Sequence, residues 1–427
     1  MKYITILLFS VLFYGCTSSD APEDNPTSDS PNILLIIADD MGKDATQGFS
    51  EGSIKPNTPH LDKFRNEGLV FNNLWVNPTC SPTRSSIITG KYGYRTGVKW
   101  ANDELSQSET ILQKYINEES STAYSTAIVG KWHLSGANLD INPESFGLDY
   151  YSGLVRGAVQ DYYEWQWTDN GSVSLQTEYI SKVFTDLSID WINDQSSPWF
   201  LWLAYNAPHT PFHVPPTEMH TQGDLPEYVD GLDPMPYYMA AIEAMDYQVG
   251  ELLQGIPDDE LDNTVIIFLG DNGTPGQVAQ SPYSMSKAKG SLYQGGINVP
   301  MYVSGKGVSR GGEDNNLITS TDIFSTIAEL AGVNDSEIHD SRSFKSLLSS
   351  ESNIREFQYS EMNNGTDDMW AISNGNYKLI VSADGVMEMY NLFTDSYENI
   401  NILDSTLSTS EGNEKSDLEA ELVKIRN

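Results

Sequence analysis

The segment Asn32–Asp40 reads NILLIIADD, a continuous apolar run that ends in two carboxylates. A strand buried on both faces of a parallel sheet has this pattern, whereas a half-buried strand alternates apolar and polar residues. In open α/β sheets, ligands bind outside the carboxyl ends of the strands. The segment therefore predicts a buried parallel strand that delivers Asp39 and Asp40 to a functional site.

Three further apolar runs also end in polar, titratable residues. They are Ser125–Val129 before Gly130-Lys131-Trp132-His133, Trp199–Tyr205 before Asn206-Ala207-Pro208-His209, and Thr264–Leu269 before Gly270-Asp271-Asn272-Gly273. Helices are expected between the runs, at Thr58–Glu67, Glu178–Trp191, Tyr237–Leu253 and Thr321–Leu330. This alternation predicts an α/β fold with a large, mostly parallel sheet sandwiched by helices. Four such strand ends predict one shared site at the carboxyl edge of the sheet.

The pattern changes after Asp335. Tyr377–Val381 and Val386–Tyr390 flank the dipeptide Asp384-Gly385, which is a hairpin turn signal. We therefore expect a catalytic domain over residues 32–335 and a small C-terminal α+β subdomain with an antiparallel sheet over residues 336–427.

The first sixteen residues are typical of an export signal. Lys2 precedes the apolar run Ile4–Tyr14, which is shorter than the roughly 20 residues that cross a bilayer. The dipeptide Gly15-Cys16 resembles a bacterial lipobox, which predicts acylation of Cys16. Residues 17–31, rich in Ser, Asp and Pro, predict a disordered tether. We expect a membrane-anchored bacterial lipoprotein in the periplasm or at the cell surface; the alternative is a cleaved signal and a soluble secreted or periplasmic protein.

Composition restricts the partners. The chain has 427 residues, with 24 Lys and Arg against 60 Asp and Glu, so its formal charge is −36. Such a field repels nucleic acid, and an anionic ligand needs cations gathered locally or a metal ion. The 39% of hydrophobic residues exclude a disordered chain. With Cys16 acylated, Cys80 is the one remaining thiol, which excludes a disulfide scaffold and a cysteine-based zinc site.

Cys80 begins a candidate helix that runs to Thr89 and is followed by Gly90. Pro82 suits the first helical turn, and Cys80 shares a face with Arg84 four residues later. A helix N-terminus and a guanidinium both favour an anion. This pattern predicts a site for a tetrahedral oxyanion centred on Cys80; the alternative is a buried structural cysteine.

Cys80-Ser81-Pro82-Thr83-Arg84, followed by Thr89-Gly90-Lys91-Tyr92, resembles the signature of the type I sulfatase family. The resemblance covers nearly the whole chain after the tether, and its other motifs are Asp39-Asp40, 130–133, 207–211, 271–273, 289–296 and 377–379. It implies an alkaline phosphatase-like fold and a sulfuric ester hydrolase. It also implies that a separate maturation enzyme oxidises Cys80 to Cα-formylglycine, whose hydrate is the nucleophile.

The family resemblance assigns one divalent cation to the site, Ca²⁺ or alternatively Mg²⁺. All-oxygen ligation suits such hard cations. The implied ligands are Asp39, Asp40, Asp271 and Asn272, with the modified residue at Cys80. The implied catalytic residues are Cys80, Arg84, Lys131, His133, His209 and Lys289. Lys131 and Lys289 match sulfate-binding lysines, His133 the residue that assists the diol, and His209 the residue that protonates the leaving oxygen.

Two positions depart from the family pattern, since Gln294 stands where Glu is usual and Asn298 where Arg is usual. The segment Gly147–Asn170 is rich in Tyr and Trp, and it either stacks on a sugar or aryl group or packs on its own rings. Further candidate substrate contacts are Arg95, Trp100, Asp103, Arg156 and His213.

The export signal and the aromatic segment favour a sulfated carbohydrate substrate. One alternative is a phosphoester or phosphonate hydrolase of the same superfamily, and another is an inactive glycan-binding surface lipoprotein. The sequence shows no clear second set of metal ligands, which favours sulfate, and its complete set of motifs argues against an inactive protein.

Overall fold

The computed structural model describes residues 30–137 and 141–427. The predicted signal with Cys16, and the tether up to residue 29, lie outside the described residues. Within the described ranges, no helix has both the length and the apolar character needed to cross a bilayer.

Eleven strands of the described residues form the main sheet. They are β1 (Asn32–Ala38), β2 (Leu69–Trp75), β3 (Ser125–Lys131), β4 (Tyr150–Leu154), β5 (Trp165–Asp169), β6 (Ser172–Gln176), β7 (Trp199–Ala204), β8 (Thr264–Gly270), β9 (Asn298–Gly305), β10 (Gly312–Asp314) and β11 (Ile318–Thr319). The order is β10-β2-β9-β8-β1-β7-β3-β4-β5-β6, with β11 also beside β2. The central strands β8, β1, β7, β3 and β4 are parallel, whereas β9 and the β5–β6 hairpin pair antiparallel. The four predicted strands are confirmed within two residues of their expected ends.

Helices cover both faces of the main sheet. All α-helices of the described residues are α1 (Pro59–Glu67), α2 (Cys80–Thr89), α3 (Gly93–Thr96), α4 (Leu112–Glu119), α5 (Ile180–Asn193), α6 (Met235–Gly255), α7 (Asp258–Asp262), α8 (Gln294–Ile297), α9 (Asp322–Leu330) and α10 (Thr409–Arg426). Ile33 and Leu35 of β1 pack with α2, α4 and α9, whereas Leu34 and Ile36 pack on the other face with α1, α5 and α6. Because successive strand residues point to opposite faces, both faces of β1 are apolar. This arrangement confirms the predicted helix–sheet–helix sandwich.

A second, antiparallel sheet follows in the C-terminal part of the chain. After the short pair β12 (Glu337–Ile338) and β13 (Ser341–Arg342), its strands are β14 (Gln358–Asn363), β15 (Asp368–Ser373), β16 (Tyr377–Ser382) and β17 (Met387–Asn391). Helix α10 packs on this sheet through Leu418 and Leu422. The predicted hairpin is confirmed, with Gly385 at φ 90° in its turn. The division at residue 335 stays a prediction, since β14 also contacts β2 and β11.

The aromatic segment is part of the main sheet. It supplies β4 and β5, and Tyr151, Tyr162 and Trp165 are buried, while Tyr163 is partly exposed. These three buried rings therefore pack inside the protein, as the second alternative proposed.

Candidate active site

Parallel register brings the carboxylates together at the carboxyl edge of the sheet. Ala38 of β1 pairs with Gly270 of β8, so Asp39-Asp40 and Asp271-Asn272 leave the sheet side by side. The Asp271 N–H donates to Ala38 O at 3.0 Å, and the Asp40 N–H donates to Asp271 Oδ1 at 3.1 Å. All four side chains are buried. The convergence that the strand ends predicted is thus present.

Cys80 is the first residue of α2 and faces this edge. It is a free, buried cysteine, and its Sγ lies within 4.8 Å of ligand atoms of Asp39, Asp40 and His209. Gly90, at φ 66°, ends the helix at the predicted position. Burial raises the pKa of the Cys80 thiol to about 12, so an unmodified thiol here is neutral at physiological pH.

Three buried or partly buried cations pair with the three carboxylates. Lys131 donates to Asp39, and Lys289 Nζ lies 2.6 Å from Asp40 Oδ2. Arg84 donates through Nε and Nη2 to Asp271 Oδ2 at 3.1 and 2.8 Å. Since the Arg84 Nη1 also donates to the Lys131 carbonyl at 2.8 Å, one guanidinium ties together α2, β3 and the end of β8. The formal charges of these six groups cancel.

The carboxyl groups of Asp40 and Asp271 titrate differently. Burial acts to raise the pKa of Asp40, but the neighbouring Lys289 and His209 outweigh it and hold that pKa below its usual value. Burial and repulsion by Asp39 raise the pKa of Asp271 to about 6 despite the adjacent guanidinium. Asp40 is therefore the more firmly ionised of the two.

The donor set fits a hard divalent cation. Asp39 Oδ1 and Asn272 Oδ1 are both buried, and neither has a hydrogen-bond partner in the part of the chain that the structure describes. An unpaired buried oxygen costs roughly 1–3 kcal/mol. The Asn272 Nδ2 donates to Asp40 Oδ1 at 2.7 Å, which leaves the Asn272 oxygen free for another partner. Ca²⁺ and Mg²⁺ take such carboxylate and amide oxygens.

His133 follows β3 with a left-handed backbone at φ 57°. Its Nε2 lies 3.0 Å from Asn102 Oδ1 and so donates to it, which leaves Nδ1 as a buried acceptor without a described partner. Gly157 lies against the ring, where an added Cβ would come within 2.0 Å of Nε2. Asn102 also donates from its backbone N to Ser81 Oγ at 3.1 Å. Neither Asn102 nor Gly157 belongs to a sequence motif, so sequence analysis did not identify them as site residues.

His209 approaches the carboxylates from the end of β7. Its Nδ1 donates to Thr210 O at 2.6 Å, and its Nε2 lies 3.7 Å from Asp40 Oδ2. Burial lowers the pKa of His209 to about 4. The Tyr162 hydroxyl lies 2.6 Å from His209 O and 2.9 Å from Asn206 O. One ring of the aromatic segment therefore supports the histidine rather than a sugar.

Tyr238 is a supporting residue that the sequence did not suggest. Asp40 has φ 72°, a left-handed conformation that is uncommon outside glycine. The Tyr238 hydroxyl of α6 donates to the Asp40 carbonyl at 2.7 Å, deep in the core. This bond helps to hold Asp40 in its strained conformation.

Several candidate substrate contacts have internal partners instead. Arg95 Nε pairs with Asp340 at 2.9 Å, and Asp103 Oδ2 accepts from two backbone N–H groups at 2.7 and 2.8 Å. His213 stacks on Tyr162 at 3.6 Å between ring centroids. These three contacts favour structural roles. Trp100 lies near Gly290, next to Lys289, and Arg156 is exposed.

Comparison with known proteins identifies relatives of this chain. A family model described as Sulfatase matches residues 31–333. The uncharacterized sulfatase YdeN of Escherichia coli (strain K12) is 27% identical over 375 residues, covering 74% of this chain and 65% of that protein. The chain spans less than two thirds of the length of this relative. The same holds for two other relatives, Arylsulfatase J of Mus musculus and N-acetylgalactosamine-6-sulfatase of Homo sapiens.

Solved structures share the fold over almost the whole chain. Ps i-CgsB in complex with k-i-k-neocarrahexaose is 24% identical, with a TM-score of 0.78 and 93% of each chain covered. BT4656 in complex with its substrate D-glucosamine-2-N,6-O-disulfate is 20% identical, with a TM-score of 0.78, covering 93% of this chain and 98% of that one. At these identities the likeness establishes the alkaline phosphatase-like fold.

Proposed function

The chain belongs to the sulfatase family, and on that premise we propose that it hydrolyses a sulfate ester of a carbohydrate and releases inorganic sulfate. The observation that carries the proposal is the convergence of Cys80, at the start of α2, with three cations and two unpaired buried oxygens. Two structural neighbours support a carbohydrate, since one holds k-i-k-neocarrahexaose and the other D-glucosamine-2-N,6-O-disulfate.

In the proposed mechanism, a maturation enzyme with an external oxidant converts Cys80 to formylglycine, and water adds to the aldehyde. One hydroxyl of the resulting diol attacks sulfur, and the bond between sulfur and the ester oxygen breaks. The second hydroxyl then loses its proton while the carbon–oxygen bond to sulfate breaks, which releases sulfate and restores the aldehyde. A serine alcohol has no second hydroxyl for this elimination.

Fixed cations stabilise the charge that develops on the sulfate oxygens. Lys131 and Lys289 stand at the carboxylates nearest the nucleophile, and Arg84 is locked to Asp271. A divalent cation held by Asp39, Asp40, Asp271 and Asn272 would supply Lewis-acid polarisation and charge screening. Because the six side-chain charges cancel, the ion's charge would leave the site positive, as a sulfate ester requires.

The two histidines have separate proposed tasks. The His133 Nδ1 is the unpaired acceptor, and it takes the proton from the attacking hydroxyl. The His209 Nε2 carries a proton only when the imidazole is charged, a form that Asp40 and the bound anionic ester both favour, and it delivers that proton to the leaving oxygen. Lys289 shares this task. Such proton transfers contribute roughly 10²–10⁴-fold each.

We also propose that the protein works outside the cytoplasm. The lipobox-like Gly15-Cys16 supports an exported, membrane-anchored lipoprotein with the maturation enzyme and an anchoring membrane as partners. An anchor of this kind would let the enzyme act on polymers too large to enter the cell.

Peptide mass spectrometry and turnover together test the proposed function. In protein from its natural producer, the residue at position 80 should carry an aldehyde or its hydrate in place of the thiol. The same protein should release sulfate from a panel of defined sulfated oligosaccharides, and Cys80→Ala should release none. An unmodified Cys80 in active protein, or faster hydrolysis of aryl phosphate than of aryl sulfate, would refute the proposal.

A further inference from the structure

A surface cleft runs along the junction of the main sheet and the C-terminal sheet. It consists of two adjoining cavities of about 860 and 420 Å³, which share Asn73, Gly375 and Leu392 in their walls. One wall comes from β2 and the residues before β11, and the other from the turn between β15 and β16. None of the candidate catalytic residues lines either cavity.

Side-chain amides dominate this cleft. Six asparagines line the larger cavity, namely Asn73, Asn315, Asn316, Asn353, Asn374 and Asn376. Three carboxylates, Glu51, Glu313 and Glu356, and two cations, Lys43 and Arg355, also line the two cavities. In a chain with 60 acidic residues, so many neutral amides at one place suit an uncharged ligand.

The smaller cavity contains buried polar groups with unmet hydrogen-bonding capacity. Gln294 Oε1 and Asn298 Oδ1 are buried without a partner among the described residues, and Gln294 is only 6% exposed. Lys43 is 4% exposed; its ammonium donates to Asn72 O at 2.5 Å and forms no ion pair within the described ranges. Buried polar groups normally find partners. Gln294 and Asn298 are also the two departures from the family pattern.

An aromatic ring stands at the rim of the larger cavity. Phe393 is 85% exposed, the most exposed large hydrophobic side chain of the described residues. Its turn is fixed, because Asn391 Oδ1 accepts hydrogen bonds from the backbone N of Phe393 and Thr394 at 3.2 and 3.3 Å. The ring is therefore presented from a defined turn beside the amides.

We propose that this cleft is a second carbohydrate-binding site, which takes an uncharged, hydroxyl-rich stretch of a polysaccharide. A hydroxyl both donates and accepts, so it pairs with the amides of Gln294 and Asn298 and with the Lys43 ammonium. A sulfate group has only acceptor oxygens and cannot pair with an amide oxygen. The apolar face of a sugar would stack on Phe393. The inference rests on the proposed function only in taking the substrate as a carbohydrate.

Calorimetric titration of the full chain tests the proposal without turnover. The protein is the Cys80→Ala variant, and the probes are unsulfated hexasaccharides of the cellulose, laminarin, mannan, xylan and agarose types. At least one should bind, and adding Phe393→Ala or Gln294→Leu should weaken that binding about tenfold, the effect of one lost stacking or paired contact. The matched controls Val386→Ala and Asn66→Ala, at exposed positions outside the cleft, should bind normally.

Measurements of turnover distinguish a failure of this inference from a failure of the proposed function. In chains that retain Cys80, Phe393→Ala should hydrolyse 4-nitrophenyl sulfate at the unaltered rate. If none of the hexasaccharides binds, or if Phe393→Ala and Gln294→Leu bind as the controls do, the cleft is not a carbohydrate site. Phe393 is exposed, so its variant should remain folded even if Gln294→Leu does not. Binding that responds to both variants supports the cleft even in a protein without sulfatase activity.

Discussion

Lys378 forms a fully buried ion pair with Glu398, with 2.5 Å between Nζ and Oε1. The other carboxylate oxygen of Glu398 accepts from Gln294 N at 2.6 Å, and Lys378 also donates to Leu292 O at 2.5 Å. Both partners belong to the C-terminal part of the chain, whereas the backbone they hold follows Lys289. The C-terminal sheet thus fixes the segment that carries a proposed sulfate-binding lysine.

Lys378→Met should therefore destabilise the protein strongly. It leaves the Glu398 carboxylate buried without its cation, and breaking such a pair costs about 3–5 kcal/mol. Urea unfolding of the full chain measures this loss. The matched control is Lys182→Met, which removes a half-exposed helix pair with Asp186 and should change the free energy of unfolding by less than about 1 kcal/mol. A loss in Lys378→Met as small as the one expected for the control would show that the buried pair is dispensable.

Gly157→Ala should impair catalysis by displacing His133. The new Cβ would lie 2.0–2.3 Å from three atoms of the imidazole, so the ring must move. We expect kcat on a sulfate ester to fall at least tenfold. Gly412→Ala in α10, where a Cβ meets nothing within 4 Å, should keep the activity and stabilise the helix by roughly 0.5–1 kcal/mol. An active Gly157→Ala enzyme would argue against a catalytic His133.

His209→Gln should distinguish substrates by their leaving groups. A proton donor matters most for a basic leaving oxygen, so loss of His209 should slow hydrolysis of an alkyl or sugar sulfate by about 10²–10⁴-fold. The nitrophenolate of 4-nitrophenyl sulfate leaves without a proton, so its hydrolysis should slow far less. His220→Gln serves as the control, since this partly exposed histidine lines a different pocket, beside Glu243 and Asp246. Equal losses on both esters would remove His209 from the role of acid.

Calcium should stabilise the protein through Asn272. Added at a hundredfold excess over its dissociation constant, a ligand that binds only the folded state stabilises it by about 2.7 kcal/mol. The midpoint temperature of thermal unfolding should therefore rise when Ca²⁺ is added and return to its original value when a chelator removes the ion. Asn272→Leu removes one of the two unpaired oxygens and should abolish the shift, whereas Asn66→Leu on the surface should keep it. A shift that survives in Asn272→Leu would indicate binding elsewhere.

Asp246 should make stability depend on pH in a defined direction. It accepts hydrogen bonds from His60 N and Leu61 N at the start of α1, and burial raises its pKa to about 7. A folded-state pKa above the unfolded value favours folding at low pH, and that contribution is lost as pH rises from about 4 to 7. Asn has no carboxyl group to titrate, so Asp246→Asn avoids this loss. The free energy of unfolding of the variant should therefore increase relative to that of the unaltered protein as the pH is raised from 4 to 8. A constant difference across this range would contradict the shift.

The central strands were predictable because both of their faces are apolar. Asn32–Ala38 and Thr264–Gly270 are buried at every position. Such continuous apolar runs are typical of parallel strands that are buried on both faces. Strands β2 and β9 escaped prediction. Asn72 and Asn73 interrupt the first, and Asn298 and Pro300 break the second, so neither forms a continuous apolar run. Their mutual antiparallel pairing, not their local pattern, makes them strands.

The residues of the candidate site also divide into those that a local pattern predicts and those that depend on tertiary contacts. Asp39, Asp40, Asp271 and Asn272 were expected together because parallel strands end at one edge of the sheet. Asn102, which binds His133, comes from a loop whose path depends on tertiary contacts. Sequence also cannot tell a paired charge from a free one, and for that reason Arg95 and Asp103 were candidate substrate contacts.

The burial of Cys80 sets a deadline for its proposed conversion. Cys80 begins α2 with 2% of its surface exposed, so its thiol is out of reach of another protein once the chain has folded. If Cys80 is converted as we propose, oxidation must therefore come before folding, and a polypeptide that folds first stays inactive. The active fraction of a preparation would report the speed of its host's oxidation machinery, and purified dead protein would need to be unfolded before it could be repaired.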